Sequence, residues 1–454
     1  MNASLHIVIL AAGKGTRMYS KLPKVLHQIG GLPLVQHVIN TAQSLEPASI
    51  QVVIGHGKEQ VQAQIQSDVS WVVQDQQLGT GHAVKCALPN LPIDGKTLIL
   101  YGDVPLTDTE TLQQLLQLAG DEVGLLTDAL DNPQGLGRII RNEQGICAIV
   151  EEKDATAEQK AITEINTGIL VLPNSHLEKW LSTLQNSNAQ GEYYLTDVIA
   201  LAVADGITVH GMTVRASHLA AGINNKLQLA EIERIYQLNQ ARALMTAGVT
   251  LRDPNRFDLR GSLSHGQDCI FDVGVVVEGT CVLGDDVNIG AHCVLSNVTI
   301  GSGCHIAPFS HLSDCVVGSD ARIGPFARLR PNAHLGDGVH IGNFVEVKNT
   351  TIGHGSKVNH LTYLGDAAVG NNSNIGAGSI TCNYDGVNKF KTVIGNDVRI
   401  GSGTMMVAPL SIGDKATTGA GSVITKDCPA GQLTIGRTRQ VSIEKWQRPE
   451  KDSK

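Results

Sequence analysis

The chain has 454 residues, 42% of them apolar, and carries a formal charge of −8 with no long basic run. That length suggests two or three domains, and that charge argues against nucleic acid as a partner while leaving room for small anionic substrates at local sites. No apolar run reaches the roughly 18 residues of a membrane-spanning helix, and the opening "MNASLHIVILAAGKG" lacks a basic segment ahead of its apolar one, so neither membrane insertion nor a signal peptide is expected and a cytoplasmic location is the default.

The first element is "HIVILAAGKGTRM", a buried strand followed by a glycine-rich loop. It is not a Walker A loop, and the third glycine of a dinucleotide fingerprint is replaced by Met18. What remains is a strand end whose backbone N–H groups can cradle phosphates, with Lys14, Arg17 and Lys24 close in sequence to neutralise charge. A second apolar strand, "TLILYGDVPL", ends at Tyr101-Gly102-Asp103. In a doubly wound sheet ligands sit at the carboxyl ends of strands, so Asp103 fits a Mg²⁺ ligand as well as a turn residue. Helical stretches such as "TDTETLQQLLQLAG" alternate with strands such as "VGLLT" and "TGILVL", the pattern of an α/β domain with a mainly parallel sheet. Helical periodicity over 225–246 predicts a long connecting helix. The expected domains are 1–227 and 250–454, with a helical linker over 228–249.

The C-terminal half is a different kind of sequence, holding 28 of the 49 glycines. From Leu283 an aliphatic residue recurs mostly every six residues and sometimes every five, as far as Ile424, with Met406 and Thr418 as weak members. This is the hexapeptide signature of a parallel β-helix, in which three hexads make a coil of about 18 residues. Cys281, Cys293, Cys304 and Cys315 each stand two before a beat, and Cys428 four after one. They read as small buried hydrophobes, with disulfide or metal roles as alternatives that a cytoplasmic setting disfavours.

The repeat breaks in two places. Residues 381–394, "TCNYDGVNKFKTVI", leave thirteen residues between beats, and an insertion in a solenoid becomes a loop on one face, often the binding face. At "VKNTTIGHGSKVNH" Lys348 takes a turn glycine's place and the next beat comes one residue early. Arg330 and Lys348 both follow a beat and lie 18 residues apart, so they stack at one corner as two unneutralised cations for which a bound phosphate supplies a reason. His360 is twelve residues further on, two thirds of a coil away.

In combination these motifs resemble a known family. "LAAGKGTRMYSKLPK" resembles the sugar-phosphate nucleotidyltransferase signature, and "QDQQLGTGHA", "LYGDVPL", "INTGIL", "GEYYLTD" and "NNKLQL" follow in the family's order. "RLRP", "GNFVEVKN", "HLTYLGD", "NIGAGSITCNYDG" and "NKFKT" match an acetyltransferase half. Across residues 3–450 the chain is similar to the bacterial bifunctional UDP-N-acetylglucosamine pyrophosphorylase/glucosamine-1-phosphate N-acetyltransferases. The resemblance implies a Rossmann-like nucleotidyltransferase domain and a left-handed β-helix. It also implies a homotrimer, with acetyl-CoA and UTP as cosubstrates.

In the N-terminal half the resemblance gives Arg17 and Lys24 as the cations at the phosphates, with Asp103 and Asn224 holding Mg²⁺. Leu10, Gly13 and Tyr101 line the nucleotide site, Gln74, Gly79 and Thr80 read uracil, and Gly137, Glu151 and Asn166 hold the N-acetylated sugar. In the C-terminal half it gives His360 as the base and Arg330, Lys348, Tyr363, Asn374 and Lys389 as the sugar-phosphate set. Ala377, Asn383 and Tyr384 match residues at the thioester and acceptor, and Ser402, Ala420 and Arg437 match the coenzyme A side. Gly403 and Met405 depart from the polar residues usual there, and "TIGRTRQ" is a looser tail. Two other readings stay open from the residues alone: a nucleotidyltransferase whose solenoid only oligomerises or regulates, and a pure assembly scaffold.

Overall fold

Nine strands of the N-terminal half form one mixed sheet, in the order Val209–Thr213, Val123–Ala129, Glu164–Pro173, Lys96–Tyr101, Leu5–Leu10, Ser49–Ile54, Ser70–Val73, with Arg138–Asn142 and Gly145–Val150 as a hairpin off Glu164–Pro173. The computed structural model describes residues 4–65 and 67–449. Leu5–Leu10 pairs in parallel with Lys96–Tyr101 on one side and Ser49–Ile54 on the other. Covered on both faces, it is nearly all apolar, as central parallel strands must be. Glu164–Pro173 runs antiparallel between its two neighbours. Chain order reverses beside Leu5–Leu10, so the crevice between its end and that of Lys96–Tyr101 is a topological switch point. Leu10 and Tyr101 are register partners there.

The helix Thr109–Ala119 is capped by Asp108, whose carboxylate accepts from the Thr111 N–H at 2.8 Å, satisfying a donor the helix leaves unpaired. The long helix expected over 225–246 is Lys226–Thr246, and the two compact units of the chain divide inside it, between Tyr236 and Gln237. In the first unit Ile232 packs with Ile29, Leu34 and Ile223. In the second, Ala241 and Leu244 join the solenoid core.

The second unit is a left-handed parallel β-helix of hexapeptide repeats, its strands paired coil on coil from Thr250 to Thr434. Every beat position read from the sequence is buried, the weak members Met406 and Thr418 included. Coils are 18 residues where all steps are six, as in Leu329↔Val347, and 17 where one step is five, as in Val347↔Leu364. The early beat at Ile352 thus shortens one coil and seats His360 directly over Asn343. Across the insertion the repeat is 25 residues, Ile375↔Ile400. The six solenoid cysteines outside the inserted loop are buried and free. Burial pushes the thiols of Cys293 and Cys315 up to about 11 and about 12, which makes them inert core atoms.

Candidate active sites

A cavity of about 510 Å³ opens at the switch point of the N-terminal sheet, lined by Leu10, Gly13, Lys24, Gln74, Gly79, Thr80, Tyr101 and Asp103 together with Lys14, Gln77 and Glu192. The glycine loop folds back over Lys24. Gly15 has φ +58°, and a Cβ there would lie 2.5 Å from the Lys24 Cβ, so only glycine fits. At the opposite rim Gly79, at φ +107°, abuts the Tyr193 carbonyl, which a Cβ would meet at 2.6 Å. The "GEYYLTD" segment thereby clamps the Gly79-Thr80 loop, and the Thr80 hydroxyl accepts from the Leu195 N–H at 3.1 Å.

Lys24 is the pivot of the charged end. Its ammonium forms an ion pair with Asp103 and donates to Asn224 Oδ1 at 2.7 Å, and Arg17 donates to the same oxygen at 2.9 Å. Two oxygens, one from a carboxylate and one from an amide, therefore converge on a single cation. An all-oxygen pair with one negative charge fits a hard divalent ion that takes its remaining ligands from phosphate and water. Among the described residues no cluster of three or more His, Cys, Asp or Glu offers a metal another place.

Gly137, Glu151 and Asn166 form a second group joined to the cavity through Tyr101. The Asn166 N–H donates to the Gly137 carbonyl at 2.9 Å, and its side chain accepts from Gly168, where a Cβ would meet the Tyr101 ring at 2.6 Å. A Cβ on Gly137 would crowd Ile149 and Glu151. Burial pushes the Tyr101 hydroxyl far up, with the Glu151 and Asp103 carboxylates adding to the effect and the Thr80 hydroxyl opposing it.

Burial also pushes the Glu151 carboxyl up. Its hydrogen bond from Thr196 at 3.1 Å opposes this, and the carboxylates of Asp197, Asp154 and Glu192 add to it. A carboxyl raised in the native state binds its proton more tightly there than when unfolded. Its contribution to stability is present at low pH and lost as pH rises through the folded value. Glu151→Gln is therefore expected to raise the melting temperature at neutral pH, by about 2–4 °C for each kcal/mol recovered, with the gain vanishing below about pH 4, the range of an unfolded glutamate. Thermal melts of both proteins across pH 4–8 check this, and a gain equal at both ends would assign the effect to packing instead of charge.

The solenoid carries its candidate residues in two columns. In the first, Arg330 and Lys348 stack as expected, but the expectation of two unneutralised cations is corrected. Arg330 Nη1 donates to Glu346 Oε1 at 2.7 Å, so Arg330 is paired. Lys389, from the inserted loop, is the second uncompensated cation. Lying against Lys348, it holds that lysine below the ordinary range, with Arg330 adding and Asp366 opposing. Among the described residues neither lysine has an ion pair. Tyr363 lies in the same neighbourhood: its hydroxyl covers Gly365, the register partner of Lys348. Asn383 anchors the loop, its amide bonded to Asp366 and its carbonyl accepting from Phe390 at 2.8 Å, while Tyr384 is exposed.

The second column runs up another corner at the position two past each beat: Asn343, His360, Ala377, Ser402, Ala420. His360 Nδ1 lies 3.1 Å from Asn343 Oδ1, and its carbonyl accepts from Gly378. An amide oxygen only accepts, so Nδ1 carries the proton and Nε2 is left basic. Nε2 has no protein partner among the described residues. Arg437 ends the column, donating to the Ala420 carbonyl at 2.7 Å. Asn374 lies on the strand before Ala377, paired with Lys357. Gly403, at φ +70°, is a corner glycine bonded to the Ala377 carbonyl, and Met405 is a strand residue paired with Ile380. No hydrogen bond or ion pair links the side chains of the two columns among the described residues.

Sequence reasoning missed Asn343 and Glu346. Both lie inside the quoted "GNFVEVKN". The coil length alone would have put Asn343 under His360.

Comparison with known proteins agrees with this division. Residues 7–136 match the MobA-like NTP transferase domain, 280–307 the hexapeptide repeat of succinyl-transferase, and 312–416 the GMPPB C-terminal domain. Over 450 residues the chain is 65% identical to the bifunctional protein GlmU of Neisseria meningitidis serogroup B, covering 99% of each. It is 63% identical over 452 residues to that of Chromobacterium violaceum, again covering 99% of each, and 58% identical over 451 residues to that of Stutzerimonas stutzeri, covering 99% of this chain and 100% of the relative. With likeness of this degree over its full length, the chain belongs to the family of the bifunctional protein GlmU, enzymes that join an acetyltransferase and a uridylyltransferase in one polypeptide.

Proposed function

We propose that the two sites act in sequence to make UDP-N-acetylglucosamine, with the residues described above in the following roles. At the solenoid, Lys348, Lys389 and the Glu346-paired Arg330 hold the phosphate of glucosamine 1-phosphate, with Tyr363, Asn374, Asn383 and Tyr384 around the sugar. Lys348 and Lys389, two uncompensated cations side by side, repel one another, and a dianion relieves this; that is the observation carrying the assignment. Acetyl-CoA lies along the second column, with Ala377 at the thioester and Ser402, Ala420 and Arg437 beyond it. His360 Nε2 takes the proton from the attacking amine as the N–C bond forms, and the C–S bond breaks to release coenzyme A.

At the N-terminal site, Gln74, Gly79 and Thr80 hold uracil, Leu10, Gly13 and Tyr101 line the nucleotide site, and Gly137, Glu151 and Asn166 hold the acetylated sugar. The sugar 1-phosphate oxygen attacks the α-phosphorus of UTP, and pyrophosphate leaves. Such a transfer needs mainly in-line positioning and charge stabilisation, which Arg17 and Lys24 provide. Mg²⁺ bound by Asp103 and Asn224 would add Lewis-acid neutralisation of the phosphates. The domain limits proposed are 1–227 and 250–454 around the linker 228–249. The partners are these small molecules, and the location is the cytoplasm. No helix among the described residues is long and apolar enough to cross a membrane.

We also propose a homotrimer whose acetyl site is shared between subunits. The two columns stand at different corners of the coil, Asn343 five residues before Lys348. Beside the second runs a ladder of stacked rings, His292, Phe309, Phe326 and Phe344, with centroids 5.1–5.4 Å apart, ending at Leu361 next to His360. Phe309, Phe326, Phe344 and Leu361 expose 51%, 47%, 55% and 64% of their surface. An apolar stripe of that kind marks a contact with another chain. Co-expressed His360→Ala and Lys348→Ala subunits should then recover part of the acetyl transfer that each variant lacks alone, because mixed trimers contain some intact sites. Zero recovery from a mixed oligomer would place both columns of a site in one chain.

A further inference from the structure

The resemblance gives Gln74 a role in reading uracil but leaves open how an amide, which can donate or accept, is made to choose. Gln74 is 3% exposed, and its Nε2 donates to the Gly79 carbonyl at 3.1 Å and lies 3.0 Å from His82 Nδ1. An amide nitrogen has two protons and no lone pair to offer. Both protons are therefore spent inside the protein, and Nδ1 of His82 is the acceptor of one of them. That requires the neutral ring with its proton on Nε2. The Gln74 Oε1 is then the polar atom left for the cavity it lines.

The histidine is itself held. It stands on the helix Thr80–Ala87, which begins at the Gly79 turn. Its Nε2 lies 4.0 Å from the Cys86 sulfur, and its ring leans on Tyr193 with centroids 6.5 Å apart. The adjacent Gly81 N–H is bound by the Tyr193 carbonyl at 2.8 Å.

We infer that His82 is a specificity-determining positioning residue, which fixes the Gln74 amide so that an acceptor faces the base. Uracil presents a donor at N3 and is accepted. Cytosine presents an acceptor at N3 and meets a second acceptor, so it is refused. If the amide turns over, the preference inverts. His82 touches no substrate and acts only through Gln74. The inference rests on the reading that Gln74 contacts the base.

The test is kcat/KM for UTP and for CTP in the full-length enzyme, with acetyl transfer by the same samples as a control for folded protein. His82→Phe removes the acceptor, whereas His82→Asn puts an amide oxygen close to where Nδ1 was. His82→Phe is expected to lower the UTP-to-CTP ratio about tenfold, the usual worth of one hydrogen bond and its mismatch, while His82→Asn keeps the ratio within about twofold. If His82→Phe lowers both substrates equally, or if His82→Asn loses the ratio as His82→Phe does, the inference falls and His82 only packs. Gln74→Leu separates the two layers. A collapsed ratio there with an intact one in His82→Phe sinks the His82 role alone, while an unchanged ratio in Gln74→Leu sinks the base reading beneath it.

Discussion

His360→Ala is expected to cut acetyl transfer by roughly 10²–10⁴-fold, the usual worth of a general base, and to leave uridylyl transfer unchanged. The amine of glucosamine 1-phosphate attacks only after losing a proton, and an imidazole titrates where such a base is useful. The bond from Nδ1 to Asn343 Oδ1 presents the other nitrogen as the base. The ring is exposed at a solenoid corner and buries little, so its removal leaves the coil intact: the beat residues Val358 and Leu364 on either side stay fully buried. Steady-state rates of both reactions on one preparation measure the effect. Equal loss of both would show a structural role.

Asp103→Asn is expected to lower uridylyl transfer by about 10²–10³-fold, a magnitude typical of losing one electrostatic contact to a transition state, with acetyl transfer unaffected. The substitution keeps the shape and removes the carboxylate that pairs with Lys24 at the sheet's switch point. Lys24 would keep only the Asn224 oxygen, and a divalent cation would lose its charged ligand. Chelation with EDTA should reproduce the pattern in the wild type, stopping uridylyl transfer and sparing acetyl transfer, with Mg²⁺ restoring it. If EDTA slowed both reactions equally, the metal assignment to Asp103 and Asn224 would fail.

The solenoid could be read from the sequence because its core asks for one inward aliphatic residue per hexad, and neighbours along the chain are neighbours in the coil. Even Thr418 keeps its place inside, its hydroxyl donating to or accepting from Thr404 at 3.2 Å. The stacking of Arg330 and Lys348 followed from arithmetic on the coil length. The Glu346 partner of Arg330 did not, because it precedes its beat while Arg330 follows one: the register pairs Glu346 with Arg328, and Arg330 reaches it diagonally across the two coils. Lys389 at the same corner depends on how the inserted loop folds back, which periodicity does not determine. In the N-terminal unit the strand ends Leu10 and Tyr101 were readable as apolar runs, and Asp103 followed from its place just after one. The bond from Gln74 to His82 was not, since the path of the loop between strand and helix sets it. Glu192 reaches the cavity from a segment more than a hundred residues further along the chain.

The most direct test of the central claim follows one sugar through both sites of the full-length chain. Glucosamine 1-phosphate, acetyl-CoA, UTP and Mg²⁺ are supplied together, and intermediates are quantified by phosphorus NMR. The wild type should form UDP-N-acetylglucosamine. His360→Ala should stop at glucosamine 1-phosphate and be rescued fully by added N-acetylglucosamine 1-phosphate, whereas Asp103→Asn should accumulate N-acetylglucosamine 1-phosphate. A His360→Ala protein that the acetylated sugar phosphate does not rescue, or an Asp103→Asn protein that accumulates none of it, would contradict two independent sites acting in that order.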